Sequence, residues 1–173
     1  MDRCLGYSLQ TKMINVLFLC TGNSARSIIS EVLLRDLGAG RFQSFSAGSR
    51  PSGKPHPDGI NELVSRGHDT AAIRSKSWDE FASIDSPRMD IIVTVCGSAA
   101  SEVCPIWPSN SGDAPMTVHW GIDNPAYVEP RAERKKAFSN VYRICRRRIE
   151  AFIALDNEDI CNRDAVQSVE QII

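Results

Sequence analysis

The feature that most constrains this chain is a short apolar segment that runs directly into a cysteine and then into a helix. Residues 14–19 are almost all β-branched, aromatic or aliphatic, which is typical of a strand buried on both faces. Cys20 follows, then the turn-prone residues Thr-Gly-Asn-Ser, and then apolar residues at helical spacing from Ile28 to Leu37. A strand, a tight loop and a helix in this order predict an α/β fold with a parallel sheet.

The rest of the chain alternates between strand and helix patterns in the same way. Residues 42–45 and 89–95 are predicted strands, and the apolar spacing predicts helices at about 57–66 and 138–153. The long stretch 97–130 is rich in proline and carries no regular pattern. These elements predict three layers, with helices on both faces of the sheet.

Length and composition indicate one globular domain. The chain has 173 residues, of which 42% are hydrophobic and 24% charged, enough for a single core. We expect an N-terminal tail at 1–12, a single domain at 13–155 and a polar C-terminal tail at 156–173. The N-terminal tail ends directly before Met13. It is interpreted either as derived from a vector or as the result of an alternative translation start.

The charge pattern narrows the classes of partner. The formal net charge of −1 gives no reason to expect nucleic acid or a membrane surface as a partner. The basic residues Arg146–Arg148 are assigned to a solvated face of the last helix. A secretory signal and an apolar run of about 18 residues are both missing from the sequence, which predicts a cytoplasmic protein.

The chain contains six cysteines, at positions 4, 20, 96, 104, 145 and 161. An even number is compatible with structural disulfides, but the chain length and the absence of an export signal favour catalytic or redox cysteines in a reducing cytoplasm. Cys145 lies on the apolar stripe of the last helix and is assigned to the core.

The loop after the first strand predicts an oxyanion site with a cysteine nucleophile. Backbone N–H groups of such a loop and the start of the following helix favour an anion, and the same field favours the thiolate of Cys20. Arg26 can clamp two oxygens through its planar guanidinium, and Ser27 can donate to the thiolate. No metal ligand is predicted. The predicted oxyanion-binding residues are Thr21, Gly22, Asn23, Ser24, Ala25 and Arg26.

The segment 16–27 resembles the active-site loop of low-molecular-weight protein tyrosine phosphatases and of the arsenate reductases that share their fold. Its sequence is Val-Leu-Phe-Leu-Cys-Thr-Gly-Asn-Ser-Ala-Arg-Ser. Further stretches resemble the arsenate reductase branch. They are Phe-Ser-Ala-Gly at 45–48, Gly-Lys-Pro-His-Pro at 53–57, Arg-Ser-Lys-Ser-Trp-Asp-Glu-Phe at 74–81, residues 93–108 with their two cysteines, and residues 119–126.

The resemblance implies a flavodoxin-like topology, with a central four-stranded parallel sheet and helices on both faces. It also implies arsenate reduction by a cysteine relay. In that relay Cys20 forms a covalent adduct with arsenic, Cys96 resolves it as a disulfide, and Cys104 takes over the disulfide. No tightly bound cofactor is implied, because an external thiol system, thioredoxin or glutathione with glutaredoxin, resets the enzyme.

The sequence departs from the phosphatase pattern at the general acid. The family carries an aspartate directly before a proline, whereas this chain has Asn124 before Pro125. An amide cannot deliver a proton, so the role falls to Asp123, to water, or is lost. Ala126 follows the proline where the phosphatases carry an aromatic residue, which favours a small inorganic anion over an aryl ester.

Some reductases of this fold bind a potassium ion beside the loop. Asn23, Glu31 and Ser46 match positions of that site, while Lys76 stands where a carboxylate is expected. We hypothesise that the ammonium of Lys76 replaces the cation and pairs with Glu31.

Three functions are compatible with the sequence. The first is arsenate reduction by Cys20, Arg26, Ser27, Cys96 and Cys104, with Asp123 as the candidate acid. The second is phosphate monoester hydrolysis through a phosphocysteine at Cys20, which requires no resolving thiol. The third is an inactive anion-binding regulatory module.

Overall fold

Four parallel strands form the sheet of the molecule. A computed structural model describes residues 13–97, 99, 107 and 114–173, so the predicted tail 1–12 lies outside the described residues. The strands are β1 (Ile14–Cys20), β2 (Phe42–Gly48), β3 (Ile91–Thr94) and β4 (Met116–His119), in the order β2-β1-β3-β4. All neighbouring pairs are parallel. This arrangement confirms the flavodoxin-like α/β topology.

Strand β1 is central and buried on both faces, as its apolar sequence predicts. Val16 and Phe18 point into the larger hydrophobic cluster, and Leu17 and Leu19 point into the smaller cluster on the other side. All four side chains are buried, since alternate residues of a strand face opposite sides of the sheet. Cys20, the last residue of β1, therefore lies at the carboxyl edge of a rigid element.

Helices cover the larger cluster. They are α1 (Arg26–Leu37), α2 (Pro57–Ser65) and α3 (Arg131–Ala154), and their buried side chains join those of the sheet in one core. A 3-10 helix at Trp78–Phe81 places Phe81 in the smaller cluster on the opposite face. Within the described residues, no helix is both long and apolar enough to cross a membrane.

Strand β4 was not predicted from the residue pattern, which treats 97–130 as irregular. It has only four residues and lies at the edge of the sheet. Its burial alternates, with Met116 and Val118 inside and Thr117 exposed. An edge strand this short gives a weak periodic signal, so its pairing with β3 decides its conformation.

The C-terminal segment, residues 156–173, differs from the polar tail expected from its sequence. It contains 3-10 helices at Asp159–Cys161 and Val169–Gln171 and a short helix α4 (Arg163–Ser168). Ile160, Val166 and Val169 are buried in the larger cluster. Widely spaced apolar residues in a polar stretch give no clear periodicity, so the sequence pattern does not indicate this packing. The boundaries of the single domain at 13–155 stay a prediction.

The assignment of Arg148 to a solvated helix face is wrong. Its side chain is buried and donates to the backbone carbonyls of Ile172, Gly121 and Glu170 at 3.0, 3.0 and 2.7 Å. Burial lowers the pKa of this guanidinium. Arg146 and Arg147 are exposed, as expected.

Candidate active site

The candidate site lies where β1 ends and α1 begins, at the carboxyl edge of the sheet. We call residues 20–27 the anion loop. Cys20 pairs in register with Gly48 at the end of β2, and its side chain is only 3% exposed. Ala25, the residue that caps α1, has no side-chain acceptor, so the first N–H groups of the helix remain available to an anion.

Two donors converge on the Cys20 sulfur. The backbone N–H of Asn23 donates to Sγ at 3.2 Å, and the Ser27 hydroxyl lies 3.0 Å from Sγ. The first contact requires a sharp turn, and Asn23 adopts a left-handed φ of 40°, a conformation that asparagine tolerates better than most residues. Both donors stabilise a thiolate at Cys20.

The direction of the Ser27 hydrogen bond follows from its other partner. The side-chain amide of Asn23 donates to Ser27 Oγ at 3.0 Å and to Ser46 Oγ at 2.9 Å. Since Ser27 Oγ accepts from Asn23, its single hydrogen is left to point at the sulfur of Cys20. Ser27 is fully buried, so water does not compete for that contact.

The carbonyl groups of the anion loop point away from the site. Three of them accept backbone N–H groups from the segment that follows β2, which leaves the amides of the loop turned inward. The pairs are Arg50 to Thr21 at 2.9 Å, Ser52 to Gly22 at 2.9 Å and His56 to Ser24 at 2.8 Å. The sequence indicates only a turn-rich connection after β2. That this connection supports the anion loop was not predicted.

Gly48 is a second residue whose importance was not predicted from the sequence. A Cβ atom at this position would lie 2.5 Å from the carbonyl oxygen of Thr21 and 2.9 Å from the amide nitrogen of Asn23. A Cβ atom at Gly22, in the anion loop itself, would have its nearest such contact at an ordinary 3.7 Å from Ser24. The pairing of strand ends, invisible in sequence, makes Gly48 the position that only glycine fits.

A buried ion pair supports Asn23 from behind. Lys76 Nζ lies 3.2 Å from both carboxylate oxygens of Glu31, and the two side chains are 8% and 13% exposed. Ser46 donates to the same carboxylate at 2.5 Å, and the backbone N–H of Lys76 donates to Asn23 Oδ1 at 2.6 Å. The geometry agrees with the hypothesis that Lys76 supplies the positive charge opposite Glu31.

Arg26 connects the anion loop to the other side of the site. Its Nη1 donates to the backbone carbonyl of Ile122 at 2.9 Å. We call residues 121–127, which follow β4, the opposite loop. Arg26 is thus anchored at one nitrogen while the remaining N–H groups of a guanidinium can serve an anion.

Cys96 lies beside the anion loop. Its Sγ is 3.7 Å from Thr21 Oγ1 and accepts the N–H of Ala99 at 3.4 Å. The preceding residue, Val95, bonds to Leu19 of β1 at 2.8 Å, which brings Cys96 to the sheet edge that holds Cys20. Both cysteines are free thiols. Cys104 lies outside the described residues.

The opposite loop carries the candidate acid. Asp123 and Asn124 are both exposed. Asn124 Oδ1 accepts the N–H of Ala126 at 3.1 Å and caps the 3-10 helix Pro125–Tyr127. The amide before the proline therefore shapes this loop, and Asp123 is the carboxylate that the loop presents.

Cys145 is separated from this chemistry. It is 2% exposed, and burial raises the pKa of its thiol to about 11. Its contact to the hydroxyl of Ser30, at 3.6 Å, lies within the core. A buried neutral thiol is a poor nucleophile, which agrees with its assignment to the core.

The chain is similar to known proteins over most of its length. A family model described as low molecular weight phosphotyrosine protein phosphatase matches residues 15–161. A protein of Halalkalibacterium halodurans named arsenate reductase is 35% identical over 138 residues, which cover 79% of this chain and 93% of that protein.

Solved structures agree with this match. A structure described as an arsenate reductase in the phosphate binding state has a TM-score of 0.62 at 26% identity and covers 82% of this chain and 98% of its own. A thioredoxin-dependent arsenate reductase of Corynebacterium glutamicum shares the fold, with a TM-score of 0.53 at 22% identity over 80% of this chain and 62% of that chain.

Proposed function

Because the chain belongs to the low-molecular-weight phosphotyrosine protein phosphatase family, and within it to the arsenate reductases, we propose that it reduces arsenate to arsenite through a relay of Cys20, Cys96 and Cys104. The observation that carries the relay is a second free thiol, Cys96, against the loop that cradles Cys20. A hydrolase needs no such thiol.

The first step is attack of the Cys20 thiolate on arsenic. A bond forms between Sγ and arsenic, and one oxygen of arsenate leaves as water after protonation. The N–H groups of residues 21–25 and the guanidinium of Arg26 hold the remaining oxygens. The contacts from Asn23 and Ser27 hold the sulfur of Cys20 in place for this attack.

The second step transfers two electrons to arsenic. Cys96 attacks the sulfur of Cys20, a disulfide forms, and the electron pair of the sulfur–arsenic bond stays with arsenic, which leaves as arsenite. The N–H of Ala99, which points at Cys96 Sγ, favours the thiolate that this attack requires. Cys104 then attacks Cys96 and frees Cys20 for another cycle.

An external thiol reductant closes the cycle. We propose thioredoxin, because a disulfide between Cys96 and Cys104 is a protein substrate that a dithiol reduces in one exchange. Glutathione with glutaredoxin is the competing system. Each cycle of the relay begins with free thiols at Cys20 and Cys96, so we propose a reducing compartment, the cytoplasm.

The decisive experiment measures arsenite formation by the purified chain with each thiol system supplied separately, alongside hydrolysis of an aryl phosphate. We expect multiple turnovers with thioredoxin. Hydrolysis of the phosphate with no arsenate turnover in either system would assign the chain to the phosphatases instead.

Substitution of Cys96 tests the relay itself. Cys96→Ser should form the Cys20 adduct once, visible by mass spectrometry of the trapped enzyme, but should not turn over. Cys145→Ser is the matched control, because that thiol is buried in the core, and its turnover should equal that of the wild type. Steady-state turnover by Cys96→Ser would remove Cys96 from the mechanism.

A separate pair of variants tests proton delivery. If Asp123 is the acid, Asp123→Asn lowers the rate of adduct formation and flattens its pH profile, whereas Asn124→Asp restores the pre-proline carboxylate and raises aryl phosphate hydrolysis. An unchanged pH profile in Asp123→Asn would assign the proton to water.

A further inference from the structure

Residues 119–121, which lead from the end of β4 into the opposite loop, are held by hydrogen bonds to the C-terminal segment. The family match ends at residue 161, so the contacts made by residues 166–172 lie beyond it. They reach three consecutive residues directly ahead of Ile122, whose carbonyl anchors Arg26.

The first contact substitutes for a missing neighbouring strand. At the end of the edge strand β4, Gln167 Oε1 accepts the N–H of His119 at 2.9 Å, and its Nε2 donates to the carbonyl of the same residue at 2.5 Å. A side-chain amide thereby satisfies both backbone groups as a paired strand would. Glu170 Oε2 accepts from the same Nε2 at 3.0 Å and fixes the orientation of the amide.

The second and third contacts continue along the chain. The indole N–H of Trp120, a residue 2% exposed, donates to the carbonyl of Val166 at 3.0 Å. Gly121 is held from both sides, because its N–H donates to Glu170 Oε1 at 2.9 Å and its carbonyl accepts from Arg148 Nη1 at 3.0 Å.

Arg148 joins these contacts into one unit. It donates to Gly121 and also to the carbonyls of Glu170 and Ile172. A buried guanidinium is costly unless its donors are satisfied. Its carbonyl partners come both from the C-terminal segment and from the opposite loop, so the position of one depends on that of the other.

We infer that Gln167, Glu170 and Arg148 are positioning residues for oxyanion binding, which act through Gly121 and Ile122 on the guanidinium of Arg26. Ile122 is tied at its N–H to Val95 at 3.2 Å and at its carbonyl to Arg26 at 2.9 Å. A shift of Gly121 therefore moves the anchor of Arg26 relative to Cys20. The inference rests on the proposed function only in treating the anion loop as the substrate site.

The test uses the full chain, with inorganic phosphate as the probe of the anion loop. Glu170→Ala removes the acceptor for Gly121, and we expect the dissociation constant for phosphate, measured by calorimetry, to rise about tenfold as Arg26 loses its fixed position. Glu170→Gln keeps a side-chain oxygen for the N–H of Gly121 but loses the acceptor for Gln167 Nε2, so the dissociation constant for phosphate should rise less than in Glu170→Ala.

A matched control separates positioning from general destabilisation. Glu150→Ala removes an exposed carboxylate of α3 that pairs with Arg146 and should leave phosphate affinity unchanged. Urea unfolding of each variant reports stability independently. A loss of stability in Glu170→Ala with phosphate affinity within about twofold of the wild type would overturn the inference.

The outcome also distinguishes this inference from the proposed function. A wild-type chain that reduces no arsenate with either thiol system, while Glu170→Ala still weakens phosphate binding, would defeat the proposed function and support the inference. The reverse pattern, full arsenate turnover and unaltered phosphate affinity in Glu170→Ala, would defeat the inference alone.

Discussion

The two sides of the site are held in different ways. The anion loop is fixed by buried groups, with Asn23 fully buried and tied to Ser27, Ser46 and the backbone of Lys76. The opposite loop presents the exposed Asp123 and the 86% exposed Tyr127, and its backbone is positioned from outside by the C-terminal segment. Anion binding therefore depends on a preorganised buried network, whereas proton delivery depends on an accessible loop.

Arg26 bridges the two sides, and its loss should have the largest effect. We expect Arg26→Ala to lower kcat/KM for arsenate by about 10³-fold, because a charged oxyanion donor disappears. Arg26→Lys keeps the charge but loses the planar fork and should lose about 10²-fold. Steady-state kinetics measure both. A loss in Arg26→Lys as large as that in Arg26→Ala would show that the charge alone contributes nothing, whereas wild-type activity in Arg26→Lys would show that the fork geometry carries no part of the effect.

The buried ion pair behind the anion loop should dominate its stability. Lys76→Met leaves the carboxylate of Glu31 buried without a counter-charge and should cost about 3 kcal/mol in the free energy of unfolding. Urea denaturation measures this change. The double variant Lys76→Met with Glu31→Gln should recover a large part of the lost free energy of unfolding. Because Lys76 takes the place of a bound cation, the activity of the wild-type chain should not change when sodium is exchanged for potassium.

Cys145 extends the comparison to the core beneath the anion loop. Its folded-state pKa is about 11, raised by burial from 9.0, so the unfolded thiol releases its proton first as the pH rises. The contribution of the protonated Cys145 thiol to the free energy of unfolding is therefore complete below pH 9. It is lost progressively between pH 9 and 11. We expect this decline to reach about 2 kcal/mol in the wild type and to be absent in Cys145→Ala, as measured by urea unfolding across that pH range.

Gly48 tests how tightly the anion loop is packed. Gly48→Ala forces a Cβ against the carbonyl of Thr21 and should displace the loop, with a fall of about tenfold in kcat/KM. Gly67→Ala is the matched control. That glycine has a φ of +86°, and a Cβ atom added to it would meet no other atom within 4 Å, so its replacement should cost stability of about 1 kcal/mol but no activity.

The opposite loop should respond least to substitution. Asn124→Ala removes the cap of the 3-10 helix Pro125–Tyr127, a contact of about 1 kcal/mol. Because this loop is exposed, we expect kcat/KM for arsenate to change by no more than about threefold. A loss as large as that of Arg26→Lys would contradict the division into a preorganised side and an accessible side.

The central part of this protein could be predicted from local sequence. Residues 14–19 are too uniformly apolar for anything but a strand buried on both faces, and a cysteine followed by a loop and a helix start is enough to create an anion site. The nucleophile, the parallel fold and the resemblance to arsenate reductases all follow from that local information, because these features need only neighbouring residues.

Features that depend on distant residues are not encoded in the residues around them, and the pairing of Lys76 with Glu31 was expected only from the resemblance to the family. Gly48 is essential because β2 ends opposite β1, Lys76 is buried because Glu31 faces it, and Arg148 is satisfied only because the C-terminal segment folds back over Gly121. Each is a glycine or a basic residue of unremarkable local context. Their roles arise from burial and from distant partners. The partner lies 28 positions away for Gly48, 45 for Lys76 and 27 for Arg148, and no local pattern encodes contacts over such separations.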